Sequence, residues 1–126
     1  MIIGKIDLEI FQCVSNDITT DDVVITDRQL AHIKDKHPHD YDLYSQYIPE
    51  MLMRPDYILE ANRPKSAVLP KEVTCNGEKV QLVVRFSTSS NPVEYKNSII
   101  TFMKIRRKEW NRLLKNKKIL YSAVKI

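Results

Sequence analysis

All three histidines of this chain lie in one stretch, "HIKDKHPHD", which runs from His32 to Asp40. Three explanations compete for the cluster: a metal site, an acid–base pair, or the solvated end of a helix. With Asp35, Asp40 and Asp42 the group resembles a ligand set by composition. Its spacing argues otherwise. Two ligands on one helix face want an i,i+4 relation, whereas His32 and His37 are i,i+5, about 140° apart around a helix. No Cys-x-x-Cys or HExxH accompanies them. The reading is therefore no metal site and no cofactor.

Acid–base work needs less. Histidine changes charge near neutral pH, so a neutral ring and a protonated one can supply base and acid in one turnover. His32 lies in a basic stripe with Arg28 and Lys36 at i,i+4,i+8, away from the apolar Leu30 and Ile33. His37 comes four residues after Ile33 and just before Pro38, where a helix must end. A histidine at that place is also commonly a cap or a packing residue. His39 reads as loop.

Two further groups suit phosphate. Arg85 ends the apolar run "QLVVRF". If Leu82, Val84 and Phe86 face a core, then Gln81, Val83 and Arg85 face away from it. An arginine there can grip a phosphate through two parallel N–H bonds, or it can make an ordinary strand-end salt bridge. The stretch "EYKNSIITF" gathers Tyr95, Lys96, Asn97, Ser98 and Thr101 about the start of another strand. Ser98 and Thr101 fall on opposite faces of a regular strand, so both reach one site only if a bulge intervenes. No GxSxG surrounds Ser98, so it suits hydrogen bonding to phosphate better than nucleophilic attack.

These side chains need a frame. Ile6, Leu8 and Ile10 alternate with Asp7 and Glu9, a strand-like period. Thr26 and Gln29 form the start of a capping box, and the helix they open closes before Pro38. A second helical piece begins near Pro49 and runs through Met53, with residues 41–48 a short helix or a packed loop. Strand signals follow: "YILEA", then "SAVLPKEVT" and "EKVQLVVRF" flanking Asn76-Gly77, a strong hairpin dipeptide, then "NSIITFMKI". "RRKEWNRLLKNK" is a basic amphipathic helix, which either tracks a nucleic-acid backbone or is simply a solvated face. "KILYSAV" is suited to a last strand. The expectation is an α+β fold, with N-terminal helices packed on a roughly four-stranded antiparallel sheet and a basic helix near the C-terminus.

Composition bounds the rest. A chain of 126 residues, 43% of them hydrophobic, makes one domain with a buried core, taken as residues 1–126. No apolar run is long enough for a membrane span, and no signal-peptide core opens the chain. A cytoplasmic location is expected, with Cys13 and Cys75 as free thiols. Residues 1–62 hold five Lys+Arg against twelve Asp+Glu, a net of −7. Residues 63–126 hold fifteen against four, a net of +11. That asymmetry points to an anionic partner, nucleic acid first, or to a lysine-rich solvated surface.

Taken together, "ITDRQLAHIKDKHP", "YIPEMLMRPDYILEAN", "VQLVVRF" and "EYKNSIITFMKI" resemble the small phage- and mobile-element-associated nucleases grouped with barnase, EndoU, colicin and RelE-type ribonucleases. The resemblance runs from about Val24 to Tyr121. It implies an active site on the open face of the sheet and metal-independent cleavage of RNA in a toxin or phage setting. It implies catalytic roles for His32, His37, Arg85, Ser98 and Thr101; beside them, Tyr95, Lys96, Asn97 and Lys104 are expected to bind substrate. RNA is the expected partner, with an immunity or antitoxin protein as a second. The alternatives are an inactive RNA- or ribosome-binding module and a phage structural or partner-binding protein.

Overall fold

The computed structural model describes residues 1–73 and 77–124. In chain order the elements are β1 (Ile2–Lys5), α1 (Leu8–Phe11), β2 (Asp22–Val24), α2 (Asp27–Lys36), α3 (Asp40–Tyr44), a 3₁₀ turn at Ser45–Tyr47, and α4 (Ile48–Met53). Then come β3 (Tyr57–Glu60), β4 (Ser66–Glu72), β5 (Lys79–Arg85), β6 (Asn97–Ile105), α5 (Arg107–Asn116) and β7 (Ile119–Ser122).

The class is α+β, but the sheet corrects the expectation of four antiparallel strands. Seven strands form one mixed sheet in the order β1-β2-β6-β5-β4-β3-β7. The pairs are antiparallel except β2 with β6, which run parallel. β1 and β2 extend the sheet beyond β6, so the N-terminal region supplies strands as well as helices. Ile6–Ile10 is a second correction. The strand lies earlier, at Ile2–Lys5, and Leu8–Phe11 is helical. Asp7 decides this, because its carboxylate accepts the N–H groups of Glu9 and Ile10 and so opens a helix. Phe11 is then fully buried against Phe86.

Other local signals act as their chemistry dictates. The Thr26 hydroxyl accepts the Gln29 N–H, and His37 closes α2 through its own N–H to the Ile33 carbonyl. Pro49 sits in the first turn of α4. Gly4 lets α4 lie close to β1, since a Cβ there would meet Leu52 at 3.0 Å. The β4–β5 hairpin closes where the Val73 N–H meets the Glu78 carbonyl, with Gly77 at φ +72°. Asn76 and Cys75 lie outside the described residues.

One face of the sheet is the core. Ala67, Leu69, Val80, Leu82, Val84, Ile99 and Phe102 pack there against Ile33, Ile48, Met51 and Leu52 of the helices. The other face is only partly covered. Trp110 of α5 meets Tyr57 edge-on and lies under the Lys79 ammonium. The end of β5 and the start of β6 stay open.

Candidate functional site

Leu82 and Val84 are buried, Gln81 and Val83 are half-buried, and Arg85 is exposed. The alternation therefore turns Arg85 out of the core. Directly across the ladder from Arg85 are Ser98 on β6 and Ser66 on β4. Among the described residues no carboxylate lies within ion-pair distance of Arg85.

The β5–β6 register contains the feature that matters most. Val83 pairs with Thr101, whereas Val84 pairs with Ile99, so Ile100 is an extra residue on β6. Residues directly opposite in an antiparallel pair share a face. Ser98 faces the side of Arg85 and Thr101 the side of Val83, which are one side. The bulge thus removes the parity conflict between Ser98 and Thr101.

A small cavity of about 70 Å³ is lined by Arg85, Phe86, Ser87, Asn91, Tyr95, Lys96 and Ser98. Its walls are tied down. The Asn91 side-chain oxygen accepts the Thr88 N–H, and the Ser89 hydroxyl donates to Asp17 at 2.7 Å. Lys96 donates to Asp22 at 2.9 Å, and Lys5 donates to the same carboxylate at 2.7 Å. Those bonds, from Lys5 first and then Lys96, hold Asp22 below the usual carboxylate range. Asp22 and Lys5 therefore fix one rim of the cavity.

Asn97 has a different place. It is 0% exposed. Its side-chain carbonyl accepts the Ser87 N–H at 2.8 Å, and its amide donates to the Thr20 carbonyl at 2.7 Å. The amide holds two loops together behind the cavity. Ser87, which sequence reasoning did not single out, joins the cavity wall. Its hydroxyl is buried and has no partner among the described residues. Its signal, a serine two residues past the strand arginine, is too common to read.

The histidines divide. α2 leaves β2 beside Ser98, and its C-terminal His37 lies near Lys104, so the helix runs beside β6 in the same direction. His32 is exposed midway along it. His37 Nδ1 is 3.7 Å from Asp40, and the same carboxylate oxygen accepts the backbone N–H of Lys104 at 2.9 Å. Lys104 stands six residues beyond Ser98, roughly 20 Å along an extended strand. The structure therefore gathers Arg85, Ser98, Tyr95 and Lys96 about one cavity, with Thr101 farther along β6 on the same face, opposite Val83. It sets His37 and Lys104 at the far end of β6. The Lys104 ammonium pairs there with Glu78 at 3.3 Å. Among the described residues, no three His, Cys, Asp or Glu side chains converge as metal ligands.

Residues 2–122 match the family described as phage-Barnase-EndoU-ColicinE5/D-RelE like nuclease2, PBECR2. The chain belongs to this family of phage-associated nucleases. No curated protein and no solved structure is a match. Among the described residues no helix is long and apolar enough to cross a membrane.

Proposed function

We propose that this nuclease is a metal-independent endoribonuclease acting at the open face around Arg85. The observation that carries the reading is the extra residue at Ile100, which aligns Ser98 and Thr101 on the face that bears Arg85. An arginine fork with two flanking hydroxyls can hold a phosphate and stabilise the charge that grows on it.

RNA brings its own nucleophile, the 2′-hydroxyl, so the protein need only move protons. His32 takes the 2′-hydroxyl proton: α2 packs on the core side, so this exposed ring reaches the Arg85 face around the edge of β6, where β2 pairing ends at Ser98. The oxygen attacks the neighbouring phosphorus and the bond to the 5′-oxygen breaks. The departing oxygen needs a proton. Tyr95 is the better placed donor, since it lines the Arg85 cavity while His37 stands at the other end of β6. The products are a 2′,3′-cyclic phosphate and a free 5′-hydroxyl. DNA has no 2′-hydroxyl and survives.

Purified protein incubated with total RNA, with DNA, and with RNA in excess EDTA tests this. Cleavage of RNA alone, undiminished by the chelator, is expected. Cleavage of DNA, or activity that vanishes with EDTA and returns with a divalent ion, sinks it.

The separation of His37 from Arg85 favours a second reading, an RNA-binding module without turnover. Salt-sensitive binding with intact RNA marks that case. A toxin role with a cytoplasmic target, and an immunity or antitoxin partner, would follow from the first reading alone.

A further inference from the structure

A second basic cleft opens at the other end of the β5–β6 pair. It encloses about 350 Å³, and Lys79, Lys104, Arg106 and Arg107 are among its lining residues, with Glu78 as its one acidic wall. These cations are not equivalent. Lys79 is buried, holds Glu72 at 2.7 Å and lies over Trp110, so it belongs to the fold. Lys104 pairs with Glu78. Arg106 and Arg107 are exposed, and among the described residues neither has a carboxylate within 4 Å, although Arg107 is close enough to Glu72 to help hold that carboxyl below its ordinary range.

The position of that pair is electrostatically costly. Arg106 is the N-cap of α5 and Arg107 its first residue, and Arg106 makes no side-chain capping bond. A helix N-terminus carries partial positive charge, which favours acids there. Glu109 in the first turn offsets part of that charge, but the two arginines still repel the helix end and each other, and an anion between them would relieve it.

We infer that this cleft is a second phosphate-binding subsite, which holds the backbone of a single-stranded RNA several nucleotides from the one held at Arg85. The inference rests on the ribonuclease reading for its choice of polymer. The two places lie at opposite ends of β6, roughly 20 Å apart along the strand. No single phosphate reaches both. A strand of several nucleotides laid along β5–β6 does, and passes half-buried Gln81, Val83, Thr101 and Met103 on the same face. The subsite would therefore set the minimum length of a good substrate rather than its chemistry.

The probe is fluorescently labelled 2′-O-methyl oligouridylate, which cannot be cut by 2′-hydroxyl attack, in lengths of about four and about sixteen nucleotides. The variant is R106S/R107S. A control, K108S/K115S, removes the same charge from exposed positions of α5 that do not line the cleft. Thermal melting checks folding of each. The cleft variant should bind the long probe roughly tenfold more weakly, with the salt slope shallower by about 1.4, two contacts of ~0.7 each. Its affinity for the short probe should change less than twofold, as should that of the control for either probe. An unchanged slope, an equal loss on both lengths, or an equal loss in the control overturns the subsite and leaves the cleft free for an acidic protein. Cleavage is read separately. A protein that binds the long probe in this pattern yet cuts no RNA keeps the subsite and loses the nuclease reading. A protein that binds neither probe overturns the subsite, whatever it cuts.

Discussion

The two ends of the β5–β6 ladder carry similar side chains and use them differently. At the Lys79 end lysines meet carboxylates: Lys79 with Glu72, Lys104 with Glu78. Glu72 is held below its ordinary range mainly by its bond from Lys79. At the Arg85 end Lys96 is likewise paired, with Asp22, but Arg85 itself has no carboxylate within ion-pair distance among the described residues, and hydroxyls of Ser66 and Ser98 stand across from it. A cation neutralised by its own fold is structural, whereas one left open beside donors awaits a ligand. The lesson is that the +11 of residues 63–126 is not one diffuse positive surface. Part of it is internally balanced, at Lys71, Lys79, Lys96 and Lys104, and the surplus includes Arg85 and the Arg106–Arg107 pair.

Breaking the open end should give the largest effect. His32→Ala removes an exposed side chain and should cost ~10²–10⁴ in cleavage rate. Its stability should change by no more than ~0.5 kcal/mol. Arg85→Lys keeps the charge but loses the planar fork, so it should also cripple cleavage and weaken RNA binding more than His32→Ala does. Cleavage rates read beside melting curves decide. Either variant cutting at wild-type rate while folded removes its residue from the site.

Asn97→Ala attacks the support behind the open end. It leaves the buried Ser87 N–H and Thr20 carbonyl without their partner, at about 1–3 kcal/mol for each unsatisfied group. Urea denaturation should show a loss of roughly 2–5 kcal/mol. A loss below ~0.5 kcal/mol would mean that surface changes of the ordinary kind suffice to describe it.

The paired end should respond less. His37→Ala is expected to lower the cleavage rate by less than about tenfold, well short of a lost acid or base. A fall as deep as that of His32→Ala would place His37 in the site after all.

The smallest effect concerns the rim. Asp22 titrates below its ordinary value when folded, so its contribution to stability is present above about pH 3.8 and disappears as pH falls through the depressed value. Lys5 titrates above its ordinary value, chiefly through the hydrogen bond to Asp22. Its contribution is therefore lost as pH rises beyond about 10.5. Asp22→Asn should be slightly less stable than the parent between those limits and equal to it in strong acid. A stability difference between the two that does not vary with pH would exclude the linkage.

Much of the frame is legible from local chemistry. β3 to β7 and α5 all fall on runs marked by period-two alternation, by the hairpin residues or by amphipathic spacing. The cap at Thr26 and the stop at Pro38 bound α2 as their chemistry requires. What escapes is long-range. β2 has only three residues, and its identity as a strand comes from pairing with β1 and with the distant β6. The alternation at Ile6–Ile10 misleads because Asp7 competes for the backbone. Among the site residues, Arg85 and Ser98 are readable as types suited to phosphate. The bulge at Ile100 is a property of register between two strands, and nothing in "NSIITF" announces it. The structural use of Asn97 is likewise set by Ser87 and Thr20, which sequence distance hides.

The hydrogen bond from the Lys104 backbone to Asp40 has a consequence for solubility. Among the described residues β2 pairs β6 only at Asn97 and Ser98, and from Ile99 onward no strand covers that side of β6. An uncovered ladder of apolar, β-branched residues is a template on which other chains can stack. Asp40 blocks it by occupying one of its free donors with a charged group, and α2 and α3 shield the remainder. Loss of that carboxylate would unblock the Lys104 donor at the end of this edge, and such a variant should clump on heating at a lower temperature than the parent, as light scattering would show.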